Sequence, residues 1–171
     1  MTSGRSGHVI GGSFCDILLF MQVTVAYIGP KASARDAIEG LAGEYLRRCS
    51  GVLRCEMQAF RSEKVLLDWL SRKQGRTEPI MQLLDGRGRE MSSEELAAWL
   101  GKRRDDGAQH VVFAVGPADG WSDELRAEGK RRGWLLSLGP MTLAHSLARL
   151  VMAEQIYRAC TIFTGHPYHR K

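Results

Sequence analysis

The sequence predicts an α/β domain with a mostly parallel sheet and helices on both faces. Three observations carry that expectation. From Met21 onward, short β-rich runs alternate with helical runs, the pattern that builds parallel sheets. Two strand candidates, Pro79–Leu84 and Val111–Val115, are apolar nearly throughout, as expected of strands covered on both sides. The 171 residues are 44% hydrophobic and 25% charged, enough for one sizeable core and unlike a disordered or collagen-like chain.

The elements follow in order. Met21–Ile28 reads as a strand closed by the turn signal Gly29-Pro30. Ile38, Leu41, Ala42, Tyr45 and Leu46 then share one face of an amphipathic helix that Gly51 ends. Val52–Phe60 is a second strand, and Val65, Leu66, Trp69 and Leu70 mark a second helix. Pro79–Leu84 is the third strand, followed by a turn at Asp85-Gly-Arg-Gly-Arg89. Ser92 and Glu95 form a capping box for a helix carrying Leu96, Trp99 and Leu100. Val111–Val115 is the fourth strand. Ser122 caps a helix running to Arg132, Trp134–Leu138 is the fifth strand, and a long helix spans Leu143–Cys160 before a polar tail.

Residues 1–20 stand apart. Their only apolar run, Phe14 to Phe20, is broken by Asp16 and is too short and too polar for a secretory signal. They read as an N-terminal extension, either disordered or outside the native start, leaving 21–171 as one domain without internal repeat or linker. Cys15, Cys49, Cys55 and Cys160 show no paired spacing and read as reduced thiols of a cytoplasmic protein. No apolar run reaches the length of a membrane span.

The net charge of +5 is unevenly placed. From Arg126 to Lys171 there are eight basic residues against two acids. Such a stretch suits a polyanion partner through counterion release, and equally suits a solvated helix face.

Ligands of parallel α/β sheets bind beyond the carboxyl ends of the strands, which directs attention to Leu84–Arg89, Gly116–Ser122 and Leu138–His145. Asp85-Gly-Arg-Gly-Arg89 lacks the third glycine of a dinucleotide fingerprint and the Gly-Lys-Ser/Thr of a triphosphate loop, so a plain turn competes with a phosphate site. Gly116-Pro117-Ala118-Asp119-Gly120 could admit a ligand to the backbone, or simply turn the chain. Leu138-Gly139-Pro140-Met141-Thr142-Leu143 offers main-chain polar groups beside an apolar surface, suited to an adenine or to a buried connector.

The tail His166-Pro167-Tyr168-His169-Arg170-Lys171 sets an aromatic among cations, a pattern suited to stacking on an unpaired RNA base. Its two histidines lack a third ligand at metal-site spacing, so no metal is expected. In the long helix, Leu147, Leu150, Val151, Met152 and Ile156 cannot share one stripe, and a subunit interface would cover the second face. Glu154 and Arg158 stand four apart, as an ion pair requires.

Taken together, these residues resemble the RlmH (YbeA-like) family of the SPOUT superfamily. The likeness rests on Glu44-Tyr-Leu-Arg-Arg48, Leu84-Asp85, Gly116 to Gly120, Met141-Thr-Leu143 with His145, Glu154-Gln-Ile-Tyr-Arg-Ala159 and His166-Pro-Tyr-His-Arg170, in order from Met21 to Lys171. Chains of that family carry two glycines where this one has Gly116-Pro117, and Pro117 removes a backbone donor.

The resemblance implies a C-terminal trefoil knot, a homodimer, and S-adenosylmethionine as methyl donor. It further implies transfer to N3 of a pseudouridine in large-subunit ribosomal RNA on the assembled ribosome. Leu84, Gly116, Leu138, Gly139, Pro140, Met141, Thr142 and Leu143 would hold the cofactor. His169 and Arg170 would complete the catalytic site in the other subunit. Arg149, Arg158, His166, Tyr168, His169 and Arg170 would meet the RNA. Two rival readings stand beside it: a ribosome-binding factor that keeps the fold without catalysis, and a small-molecule α/β enzyme.

Overall fold

The computed structural model describes residues 21–33, 35–73 and 77–166. Ten elements alternate along them: β1 (Gln22–Ile28), α1 (Ala37–Arg48), β2 (Arg54–Phe60), α2 (Glu63–Arg72), β3 (Ile80–Glu90), α3 (Ser93–Asp105), β4 (His110–Val115), α4 (Asp123–Arg132), β5 (Leu135–Ser137) and α5 (His145–Thr164). The sheet is ordered β2-β1-β4-β3-β5 and every pairing is parallel, as expected.

Side-chain alternation along the strands divides the core in two. Val23, Val25, Val111, Phe113 and Leu136 face α1, α3 and α5, where they meet Leu46, Leu100, Met152 and Ile156. Ala26, Ile28, Leu83, Val112, Ala114 and Leu135 face α2 and α4, against Leu66 and Leu125. β4 is buried at all six positions, which accounts for its lack of a polar face.

Local signals set the helix starts. Ser92 Oγ accepts the Glu95 N–H while the Glu95 carboxylate accepts the Ser92 N–H, completing the capping box. Ser122 Oγ accepts from Leu125 N–H at α4. The long helix begins at His145, two residues later than its apolar pattern suggests, because Ala144 is extended and offers no side-chain cap. It runs on to Thr164, past Cys160, and stops at Gly165, whose φ of 65° is left-handed.

The segment Asp85–Arg89 departs most from expectation. Instead of a plain turn it is part of β3, which shifts register between Leu84 and Arg89 so that both residues pair with Leu136 of β5. Gly88 makes this possible: a Cβ there would lie 2.5 Å from the backbone of Leu135 and Leu136. The last part of β3 therefore passes directly against the β5 main chain.

Other differences concern packing. Leu41, expected on the apolar face of α1, is 45% exposed, and Leu147 of α5 is 42% exposed. Cys49 and Cys160 are buried free thiols and Cys55 is half-buried; a hydrogen bond to Cys49, together with burial, pushes the Cys55 and Cys160 thiols up. Cys15 and the extension 1–20 lie outside the described residues.

Candidate active site

The carboxyl ends of β3, β4 and β5 open into one cleft of about 530 Å³. Leu84, Gly116, Leu138, Gly139, Pro140, Met141, Thr142 and Leu143 all line it, so the three strand-end segments converge although 54 residues of chain separate Leu84 from Leu138.

Trp121 forms one wall. Its ring lies against the Gly116 backbone, where a Cβ would come within 3.0 Å of the indole, and its Nε1–H donates to the Leu84 carbonyl at 3.0 Å. One side chain thus fixes the ends of β3 and β4. Beside it Arg126 donates to the Asp85 carboxylate at 3.1 Å, to Asp123 at 2.7 Å and to the Trp121 carbonyl at 2.7 Å. These bonds hold Arg126 in place and neutralise Asp85.

The third wall is the loop after β5. Ser137 Oγ bonds both the N–H and the carbonyl of Gly139 at 3.1 Å, pinning a residue whose φ of 117° suits glycine alone. Met141 is 79% exposed at the mouth.

His145 opens α5 at the edge of the cleft. Its ring packs edge-on to Tyr27 at 5.9 Å, and its Nε2 is buried with no partner among the described residues. Burial and the nearby Arg149 cation lower its pKa, opposed by a hydrogen bond to the Gly116 backbone, so the ring is neutral at neutral pH. Arg149 itself is not on the surface. Only 6% exposed, it lies 4.2 Å from the Tyr27 ring centre and donates to Glu39 at 2.7 Å. The side chain expected to meet the RNA is therefore buried, with its Nη1 engaged by Glu39.

Arg158 is half-buried and paired with Glu154 at 2.6 Å, as its spacing predicts. His166 is exposed just beyond α5. Tyr168, His169 and Arg170 lie outside the described residues. Trp121, Arg126 and the Nε2 of His145 are site features that sequence reasoning left without a role; the only signal for them was their place beside strand ends.

The cleft has the features a nucleoside-bearing cofactor needs. Leu84, Val115, Leu138 and Leu143 supply apolar walls, the volume lies in the usual range for small-molecule sites, and the buried Nε2 is a polar atom in want of a partner. No group of three or more His, Cys, Asp or Glu that could hold a metal occurs among the described residues.

Comparison with known proteins assigns the class. Residues 21–169 match the family model described as predicted SPOUT methyltransferase, and the chain belongs to that family. Within it, the chain is 46% identical over 149 residues to the ribosomal RNA large subunit methyltransferase H of Koribacter versatilis, covering 87% of this chain and 98% of that one. It is also 48% identical over 88 residues to the protein of the same name from Brucella ovis, over 52% of this chain and 50% of that one. These matches place it in the large subunit methyltransferase H group, the family its motifs resemble. A Legionella pneumophila methyltransferase solved with S-adenosylmethionine is a distant structural neighbour, with 15% identity, 85% and 67% coverage of the two chains, and a TM-score of 0.37.

Proposed function

We propose that this chain is an S-adenosylmethionine-dependent methyltransferase that modifies N3 of a pseudouridine in large-subunit ribosomal RNA, acting in the cytoplasm on the assembled ribosome. The observation that carries this reading is the convergence of Leu84, Gly116 and Leu138–Leu143 on one cleft, in a chain of the methyltransferase H family.

When bound, S-adenosylmethionine supplies a methyl group already activated on a sulfonium. The protein's task is then alignment. Trp121 and the pinned Gly139 hold the walls, and the apolar side chains exclude water from the cleft. His145 lines the cleft with its Nε2 neutral and without a described partner, and would accept a proton from the target nitrogen if substrate binding exposes that buried atom.

The catalytic tail would act in the other subunit. His145 lies at the cleft, and the 20 residues of α5 carry the chain about 30 Å from it. Arg170 stands four residues past His166, a reach of at most about 14 Å even fully extended. His169 and Arg170 would therefore fall short of their own cleft and complete a partner's, with Tyr168 positioning the RNA. A homodimer burying Leu147 of α5 and the neighbouring Leu41 of α1 provides that arrangement.

Two measurements on one preparation test the reading. Calorimetry should detect S-adenosylmethionine binding to the dimer. Removing residues 167–171 should abolish methyl transfer to ribosomes while leaving that binding within about threefold. A folded dimer that binds ribosomes without binding the cofactor would instead be the non-catalytic factor.

A further inference from the structure

Building on the methyltransferase reading, the geometry points to a second RNA-binding surface at the end of the sheet opposite the cleft, formed by the C-termini of α2 and α4. Both helices run antiparallel to the strands and pack on the same core cluster. Their N-termini are tied together by the Ser122 N–H, which donates to the Glu63 carboxylate at 2.7 Å. Their C-termini therefore lie over the same face and at the same end of the sheet. That end carries the exposed residues Arg72, Lys73, Lys130, Arg131 and Arg132.

Glu128 is the acid that answers Arg131 and Arg132, while no described carboxylate lies within ion-pair distance of Arg72, Lys73 or Lys130. Two half-buried tryptophans interleave with the cations. Lys73 Nζ stands 5.2 Å from the Trp69 ring centre and the Arg132 guanidinium 4.7 Å from that of Trp134. Trp69 abuts His110 at the start of β4 and Trp134 precedes β5, two strand spacings away, or about 10 Å. The helix dipole alone would favour a cation in each last turn. It does not call for tryptophan rings set among those cations, of which Lys73 has no described carboxylate partner, and cations interleaved with aromatic rings are the combination that grips RNA backbone and unstacked bases.

The cleft itself needs such help. Arg126 is engaged by Asp85, Asp123 and the Trp121 carbonyl, and has little left for a phosphate. If a partner's tail reaches this cleft, the partner's basic end lies at the same end of the dimer. RNA entering the cleft would then meet the partner's Arg72, Lys73 and Lys130.

The test uses the full chain with Arg72→Gln, Lys73→Gln and Lys130→Gln, all exposed and outside the ion pairs. Binding of purified large-subunit rRNA is followed across a salt series, and S-adenosylmethionine binding by calorimetry. The expected result is at least a tenfold loss of RNA affinity near 0.1 M salt. The salt slope should shrink by about 0.7 for each phosphate of unpaired RNA that the variant no longer neutralises, with cofactor affinity unchanged within twofold. An unchanged affinity and slope would overturn the inference. So would polyglutamate that binds the parent as tightly as the RNA does and loses its hold on the variant, since the surface would then serve an acidic protein. A parent chain that binds no S-adenosylmethionine would sink the methyltransferase reading, and the RNA series would still decide the surface by itself.

Discussion

Asp85 and Arg126 meet at 3.1 Å across the rim of the cleft, joining the end of the core-facing part of β3 to the first turn of α4. Both are largely shielded from water, with side chains 11% and 18% exposed, so the pair is not a loose surface contact. It also places Arg126 where its second donor reaches the Trp121 carbonyl, and Trp121 in turn holds the Leu84 carbonyl. Cleft shape thus depends on a chain of polar contacts between elements distant in sequence.

Breaking that pair should cost more than removing a surface charge. Asp85→Asn leaves Arg126 partly buried with only the fully exposed Asp123 carboxylate, and is expected to lower unfolding free energy by about 2 kcal/mol. A double-mutant cycle with Arg126→Gln, read by urea denaturation, should return a coupling of about 1–2 kcal/mol. Additivity of the two substitutions would mean the pair contributes nothing.

Two neighbouring glycines should behave in opposite ways. A Cβ on Gly88 would collide with the β5 backbone at 2.5 Å, whereas one on Gly86 would meet nothing within 4 Å. Gly88→Ala should cost more than about 3 kcal/mol or leave β5 undocked, while Gly86→Ala stays within about 0.5 kcal/mol of the parent. Thermal unfolding of both variants measures the contrast.

Acid should weaken the fold before the carboxylates titrate. His110 has its pKa lowered by burial and by the Lys73 charge, against an opposing pull from Glu56, and its Nε2 lies 2.9 Å from Thr24 Oγ1. His145 is lowered too, by burial and Arg149. Because the unfolded chain binds these protons more readily, stability is fully present above the unfolded value of 6.5 and falls as pH drops from there through the folded values. Urea midpoints should be flat between pH 7 and 8 and decline from 6.5 to 5.5. His110→Gln should flatten part of that decline.

Mixed dimers offer a direct reading of where the tail works. One protomer would lack residues 167–171, and the other would carry Gly116→Ala, which drives a Cβ into Trp121 and spoils its cleft. Each homodimer should be inactive. The heterodimer should recover close to half of parental methyl transfer, because one intact cleft then faces one intact tail. Absence of recovery would place the tail in its own subunit's site.

Local chemistry made much of this fold legible in the sequence. Ser92 with Glu95 and Ser122 with Leu125 are interactions within four residues, so their patterns survive without tertiary context. The cleft segments were also readable, because ligands gather at strand ends in parallel sheets whatever the residues there. What escaped depends on long-range contacts. Arg149 looks like a surface cation until Glu39, 110 residues earlier, is seen to receive it. Gly88 looks like a turn glycine because the strand it touches, β5, begins 47 residues later. His145 gained a role only when the fold left its Nε2 buried and unmatched.

The position of β5 has a consequence for the order in which the protein is made. Chains emerge from synthesis N-terminus first, and early segments begin to fold before late ones exist. Here the strand against which Gly88 packs, the loop that closes the cleft and the helix that leads to the tail all follow β4 and α4 in the chain. A nascent chain can assemble β1 through β4 yet has no cleft to fill. Competence to bind a cofactor therefore arrives as a single event, once β5 and the loop beyond it have been made.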